Sequence, residues 1–336
     1  MNTIQPSSDH PIEEFRDEHW YLSNYGPGAA SYDQVPYPTA EHAFAAAKSL
    51  DKNHRAKVEA APSPAAAKAL GRSVELRPDW EHVKVPVMLE ILKSKFTRTA
   101  EIQDSLVGTG DRLLIEGNTW GDDFWGRYRR PGLRTRVGRN MLGKTLMQVR
   151  RELRPSDPDD PVDRWTRVAV TGHRPHDIEQ PSWVRDELDR LAVKLRDQHA
   201  TQVALTGLAI GSDTWWAQSA IAAELRLWGY QPFPGQGAKW TSEQRNENAQ
   251  ILEHLDRLVV VADRYENRFY ADRNQLLIGD ADAVIAVRDP EKRRGGTVSA
   301  LRAYCPGMPV ITVNVRDQKT TISRSFDPSV LPPRGA

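Results

Sequence analysis

Cysteine is almost absent from the sequence: Cys305 stands alone, so no internal disulfide can form and a thiolate zinc site lacks its ligands. No run of about 18 consecutive apolar residues occurs, which excludes a membrane-spanning helix. An excess of charge is missing as well. Lys and Arg number 46 against 45 Asp and Glu, a net charge of +1, so the chain is no strongly basic carpet for nucleic acid. The opening stretch MNTIQPSSDHPIEEF has no apolar core of signal-peptide type, and a cytoplasmic protein without membrane association is the expectation.

What is present reads as ordinary globular sequence, with 39% hydrophobic and 27% charged residues. A length of 336 residues exceeds one compact core, so two domains are expected. The break falls at Arg154-Pro-Ser-Asp-Pro-Asp-Asp-Pro-Val-Asp163, acidic, proline-rich and with almost nothing apolar to bury. We therefore expect a first domain over 12–154, an exposed linker over 155–165, a second domain over 166–316 and a polar tail over 317–336.

The first domain is organised around Tyr37-Pro-Thr-Ala-Glu-His-Ala-Phe-Ala-Ala-Ala-Lys48. Thr39 is a plausible N-cap and the alanines favour a helix that starts near Glu41. Glu41 and Lys48 then share one helix face, about 10 Å apart along the axis, with room for a sugar or a phosphate between them. A capping acid and a solvated terminal lysine would satisfy the same spacing. Ser63-Pro-Ala-Ala-Ala-Lys-Ala-Leu70 predicts a second helix ending near Gly71, and the apolar spacing from Trp80 to Phe96 a third. The stretch 145–153 closes the domain as an amphipathic helix. Before it, 127–139 carries six arginines and no acid, a composition that suits phosphate or a solvated loop equally well.

Beyond the linker, apolar runs at 168–170, 203–205, 258–261, 284–287 and 310–313 alternate with helical patterns at 182–198, 213–228, 241–254, 270–279 and 297–304. Such alternation predicts a doubly wound, mainly parallel sheet of Rossmann-like type, whose ligands lie beyond the carboxyl ends of the strands. The turns expected there are Thr171-Gly-His-Arg-Pro175, Thr206-Gly-Leu-Ala-Ile-Gly-Ser-Asp213 and Arg293-Arg-Gly-Gly-Thr297. Each offers glycine where backbone approaches a ligand, and a nucleotide phosphate is the simplest guest. Strand-to-helix turns also need glycine for purely steric reasons.

Two further patterns are set aside. Gly138-Arg-Asn-Met-Leu-Gly-Lys-Thr145 matches a P-loop by letters, but an arginine-rich stretch with Pro131 and Gly132 precedes it instead of a buried strand. His173 and His176 lack the third ligand that a metal site needs, so no metal is expected.

Several separated motifs give the first domain a family resemblance. Phe15, Tyr21-Leu-Ser-Asn-Tyr25, Tyr37-Pro-Thr-Ala-Glu-His42, Lys48, Leu70-Gly-Arg72, Leu76-Arg-Pro-Asp-Trp80, Thr109-Gly110, Asp122 to Gly126 and Asn140-Met-Leu-Gly143 resemble the NADAR family in their order. Residues 167–315 resemble the SLOG superfamily of Rossmann-like nucleotide-binding proteins through Thr171-Gly-His-Arg174, Gly207-x-Ala-x-Gly-x-Asp213, Arg273-Asn274 and Gly295-Gly-Thr297. The first resemblance implies an α+β, mainly helical hydrolase of N-glycosidic bonds, in a family with members that remove ADP-ribose from guanine bases. Glu41, Lys48 and Asp122 are then the catalytic candidates. Asn24, Tyr37, His42, Arg72, Arg77, Trp80, Trp125 and Gly126 are the candidates for holding substrate.

Cleaving a ribosyl–nitrogen bond can proceed through carboxylates that stabilise positive charge and activate water, or through attack by a desolvated Lys48 amine; the residues leave both routes open. The second resemblance implies a nucleotide site at Gly172, His173, Arg174, Gly207, Gly211, Asp213, Arg273, Asn274, Gly295, Gly296 and Thr297. Arg294-Gly-Gly-Thr-Val-Ser lacks the proline-glycine-glycine and following glutamate of phosphoribohydrolases, so binding without catalysis is expected there. No cofactor is expected, the ligand being ADP-ribose or another NAD-derived nucleotide. The partners expected are a nucleotide or ADP-ribosylated nucleic acid, a toxin or effector, and a second copy joined through the SLOG domain. Both domains serving only as sensors, or a glycosidase of phosphorylated riboflavin precursors, are the alternatives.

Overall fold

The computed structural model describes residues 10–155, 161 and 163–332. Most of the expected linker and the end of the tail therefore lie outside the described residues. The chain divides into two compact units, Met1–Tyr128 with Gly138–Ser156, and Arg129–Val137 with Asp157–Ala336.

The first unit begins with a hairpin of β1 (Ala30–Tyr32) and β2 (Val35–Tyr37), which leads into α1 (Ala40–Ala47). Thr39, extended at φ −145°, accepts from the His42 backbone N–H through its side chain, as the sequence predicts. Every residue of α1 is buried, so its alanines serve close approach on all sides rather than an amphipathic face. Around it stand α2 (Lys52–Glu59), α3 (Pro64–Ser73) and α4 (Trp80–Phe96). Gly71 lies inside α3 rather than beyond its end. A Cβ there would come within 2.9 Å of Ala45 Cβ, so glycine lets α3 sit directly on α1. Val87, Met88, Ile91, Leu92 and Phe96 bury one side of α4. Then come α5 (Ala100–Val107), the short parallel pair β3 (Gly117–Asn118) and β4 (Arg127–Tyr128), and α6 (Met141–Leu153).

The second unit alternates strand and helix: β5 (Arg167–Gly172), α7 (Pro181–His199), β6 (Val203–Thr206), α8 (Ser212–Ala222), β7 (Arg226–Gln231) and α9 (Ser242–Glu253). It continues with β8 (Arg257–Val260), α10 (Phe269–Gly279), β9 (Ala283–Arg288), α11 (Gly296–Tyr304), β10 (Val310–Asn314) and β11 (Lys319–Ser323). The sheet order is β11-β10-β9-β5-β6-β7-β8, parallel except for β10 against β11. This is the doubly wound, Rossmann-like architecture expected. The winding reverses between β5 and β9, where Gly172 lies opposite Val287, and the crevice for a ligand opens at that switch.

Three expectations need correction. The helix expected over 213–228 ends at Ala222, because Glu224 adopts a left-handed conformation and the chain turns into β7, which pairs with both β6 and β8. The segment after 316 is no loose appendage; it supplies β11 to the sheet edge. The stretch Arg129–Val137 groups with the second unit, where Leu133 bridges to Ala262 and the Arg134 N–H donates to the Val261 carbonyl at 2.7 Å.

Candidate active site

A cleft of about 760 Å³ opens in the first unit, and it gathers Asn24, Glu41, Lys48, Arg72, Asp122 and Trp125 from the expected set. The other five lie outside it. Tyr37 is buried in β2. His42 has its Nδ1 2.8 Å from Thr39 Oγ1 and its Nε2 3.2 Å from the Ala61 carbonyl, so its ring ties the start of α1 to the α2–α3 turn. Arg77 donates to both oxygens of Asp79 and to Tyr32 Oη. Trp80 packs 5.1 Å from Phe44, whose other neighbour is Trp125 at 5.2 Å, so it supports the wall from behind. Gly126 allows β4 to approach: a Cβ would fall 2.3 Å from the Glu116 carbonyl.

Glu41 enters the cleft from the first turn of α1, its backbone N–H held by the Asn24 carbonyl at 3.0 Å. Burial pushes its carboxyl up to about 7, against the pull of Lys68, Lys48 and Arg72, with Asp122 adding to the rise. Lys48 donates to the Gly71 carbonyl at 3.0 Å. Burial lowers its amine below the ordinary lysine range, and the Glu41 charge opposes that. The two residues therefore share one cleft, a buried carboxyl and a part-buried amine that is bonded to a carbonyl, rather than standing as a capping acid and a solvated lysine. Asp122 is oriented by its own turn, with Oδ1 accepting from the backbone N–H groups of Phe124 at 3.0 Å and Trp125 at 2.8 Å.

The rest of the cleft was not singled out by sequence. Glu116 has its N–H bonded to Asn140 Oδ1 at 3.0 Å and its carbonyl to the Arg127 N–H at 2.8 Å. Asn140 also donates to the Leu114 carbonyl at 2.8 Å and is left-handed at φ 53°. The P-loop-like stretch is therefore a clasp that fixes Glu116, and Gly143 is pressed so close to the Leu114 carbonyl that a Cβ would lie 2.1 Å away. Lys68 sits 5.3 Å from the Tyr25 ring and 5.4 Å from that of Trp120, whose indole is 55% exposed at the rim. Arg16 and Trp20 line the cleft as well. An alanine-rich helix hides Lys68 from any motif reading; proximity to Trp120 exists only in the fold. Behind the cleft, the fully buried Lys95 donates to the carbonyls of Tyr21 at 2.7 Å and Ser23 at 2.9 Å, bracing the loop that carries Asn24 and Tyr25. Burial lowers its amine to about 7.

In the second unit a cavity of about 540 Å³ lies at the β5/β9 switch. Gly172, His173, Arg174, Asp213, Arg273, Asn274, Gly295, Gly296 and Thr297 line it, as expected. Gly207 and Gly211 stand one layer behind. A Cβ on Gly207 would meet Arg273 Nη1 at 1.2 Å, and Gly211, at φ +94°, turns the chain into α8 against Pro175. Arg273 lies over Gly207 and pairs with Asp213 at 3.2 Å. Burial raises the Asp213 carboxyl, with Arg273 opposing. His173 presents a buried Nε2 without a hydrogen-bond partner, and burial and then Lys292 lower its ring. Arg294, from the third expected turn, lines the cavity as well, whereas Lys292, which pairs with Asp177, and Tyr265 were missed because they carry no spacing signal.

Among the described residues no helix is long and apolar enough to cross a membrane, and no group of three or more His, Cys, Asp or Glu is placed to hold a metal ion.

A helical unit whose cleft holds the buried Glu41 carboxyl and the Lys48 amine, followed by a Rossmann-like unit with a cationic crevice, defines the class of the protein. Residues 10–154 match the NADAR domain and residues 168–303 the YspA SLOG family. The first region is 39% identical over 138 residues to N-glycosidase Npun_R5314 of Nostoc punctiforme, covering 40% of this chain and 85% of that protein. It is 36% identical over 139 residues to N-glycosidase YbiA of Escherichia coli, covering 41% of this chain and 83% of that protein. It also matches Riboflavin biosynthesis protein VVA0006 of Vibrio vulnificus at 33% identity over 42% of this chain and 38% of that protein. The chain belongs to the NADAR family through its first domain and carries a YspA-type SLOG domain after it. That membership places it among the hydrolases acting on N-glycosyl bonds.

Proposed function

We propose that the first domain removes ADP-ribose from a modified guanine base, or from a related NAD-derived nucleotide, and that the second domain binds such a nucleotide without cleaving it. The observation that carries the reading is that one cleft holds both Glu41, its carboxyl buried and held at about 7, and Lys48, its amine lowered by burial. As the anomeric carbon–nitrogen bond breaks, positive charge develops on the sugar and Asp122 faces it, its orientation set by two backbone N–H groups. In the hydrolytic route Glu41 relays the proton of the attacking water. In the covalent route the neutral Lys48 amine attacks the anomeric carbon, the ring opens to an imine, and water releases the sugar. Arg16, Lys68 and Arg72 supply cations for a pyrophosphate, and the Tyr25 and Trp120 rings supply faces for a base. In the second domain Arg174, Arg273, Lys292 and Arg294 make the crevice suited to an anion.

The test is mass spectrometry of the products formed by the full chain and by Glu41→Gln from a guanine-ADP-ribosylated oligonucleotide and from free NAD. ADP-ribose released by the wild type and not by the variant supports the reading. Intact substrates throughout would leave the domain a sensor. The relative named for riboflavin biosynthesis favours a second substrate class, phosphorylated riboflavin precursors, and the same assay run with them separates the two. For the SLOG domain, calorimetry of the full chain with ADP-ribose should give two classes of site, reduced to one in Gly207→Ala, whose Cβ displaces Arg273.

A further inference from the structure

Hydrolysis by either route needs a group that protonates the departing nitrogen, and Glu41 and Asp122 are already engaged with water, lysine and sugar. Glu116 lines the same cleft, and its Oε2 is buried without a hydrogen-bond partner. A buried carboxyl oxygen left unpartnered is rare and calls for a ligand or a proton. Its backbone is clamped on both sides, by Asn140 and by the Arg127 N–H, so the side chain is presented by a rigid element. Its surroundings differ from those of Glu41. Glu41 feels three cations, Lys68, Lys48 and Arg72, which suit a sugar phosphate. Glu116 feels the acids Asp122 and Glu14 as well as Lys68 and Arg16, a mixed field in which cations do not prevail as they do around Glu41.

We infer that Glu116 is the acid of this site, giving its proton to the leaving nitrogen while Glu41 takes the proton of the attacking water and the Asp122 carboxylate faces the sugar. This rests on the glycosidase reading of the cleft. The bond from the anomeric carbon to nitrogen breaks, its electron pair goes to nitrogen, and nitrogen takes the proton from Glu116. Water adds to the anomeric carbon and its proton goes to Glu41. Transfer of that proton from Glu41 to Glu116 restores the starting state. In the covalent route Lys48 replaces water in the first step and the demand on Glu116 is the same. Burial and then the Asp122 charge push the Glu116 carboxyl up to about 7, which places a transferable proton there near neutrality.

Leaving-group chemistry tests the assignment. A guanine nitrogen departs poorly without a proton, whereas 4-nitrophenolate departs unassisted. Turnover of an ADP-ribosylated guanine oligonucleotide by Glu116→Gln should fall about 10²- to 10⁴-fold, and turnover of 4-nitrophenyl ADP-ribose by less than about tenfold. Equal losses on both substrates would make Glu116 structural and overturn the proposal. In the wild type, the ratio of the guanine rate to the nitrophenyl rate should fall as pH rises through about 7, a readout that does not depend on the variant folding; a ratio that stays constant overturns the proposal too. A wild type inert toward both substrates instead sinks the ADP-ribose reading beneath it.

Discussion

In the first domain Glu41 is buried and Glu116 has a buried Oε2, neither with an ion pair among the described residues, whereas in the second Asp213 is buried against Arg273 at 3.2 Å and Arg167 against Asp282 at 3.1 Å. The same cost of burying charge is met in two ways. An unpaired carboxyl meets it by holding a proton near neutrality, which equips it for proton transfer. A paired one is fixed in direction by its cation, which opposes the rise that burial imposes, and that equips it to frame a ligand. The contrast agrees with a catalytic first cleft and a binding second crevice.

The largest effect expected from breaking this contrast is on rate. Glu41→Gln should lower turnover about 10²- to 10⁴-fold and leave the melting temperature unchanged or higher, since a neutral amide replaces an uncompensated acid. Steady-state kinetics and thermal melts of one preparation check both halves. Asp213→Ala should do the reverse, sparing turnover but leaving Arg273 buried alone, at about 3–5 kcal/mol of second-domain stability by denaturant titration.

Stability against pH sharpens the comparison. Glu41 and Glu116 hold their protons up to about 7 when folded, against an ordinary value of 4.5. Between those values the folded state binds more protons than the unfolded one, so their contribution is full below pH 4.5 and is lost as pH rises through about 7. It is on the order of 3 kcal/mol per group. Lys95 acts oppositely: folded at about 7 instead of 10.5, it favours folding increasingly above pH 7. First-domain stability should therefore pass through a minimum near neutrality, and a melt series in which Glu41→Gln and Glu116→Gln leave the acid slope unchanged would contradict this account. The smallest effect belongs to Lys95→Met, which removes two hydrogen bonds to the Tyr21–Ser23 loop. A loss in kcat/KM of about tenfold, roughly 1.4 kcal/mol, should appear mainly in KM, with nucleotide heat at the second domain unaltered.

Much of this was legible in residues. Thr39, the alanines and Glu41 announce α1 because a cap and propensity act locally. The apolar runs of the sheet stand out because both of its faces are covered. β7 did not stand out, since Ala222-Ala-Glu-Leu-Arg-Leu-Trp228 continues a helical pattern and the break rests on a left-handed Glu224 that no glycine marks. The site divided similarly. Motif residues such as Glu41, Asp122 and Arg273 reached their cavities, whereas His42, Arg77 and Trp80 serve the framework around them. Glu116 and Lys68 gain meaning only from burial and from neighbours distant in sequence, and a single carboxyl in the weakly patterned stretch 111–116 carries no local signal.

The antiparallel β11 has a consequence for handling the protein. It covers the outer side of β10, where Val310, Ile311 and Val313 are buried, and itself turns Lys319, Thr321 and Ile322 outward. A chain shortened after Arg316 would present β10 as a flat apolar ledge with a row of unpaired N–H and C=O groups, a template on which other molecules could add strand by strand. The last described strand thus guards against aggregation, and any boundary chosen for expressing the second domain should lie beyond Ser323.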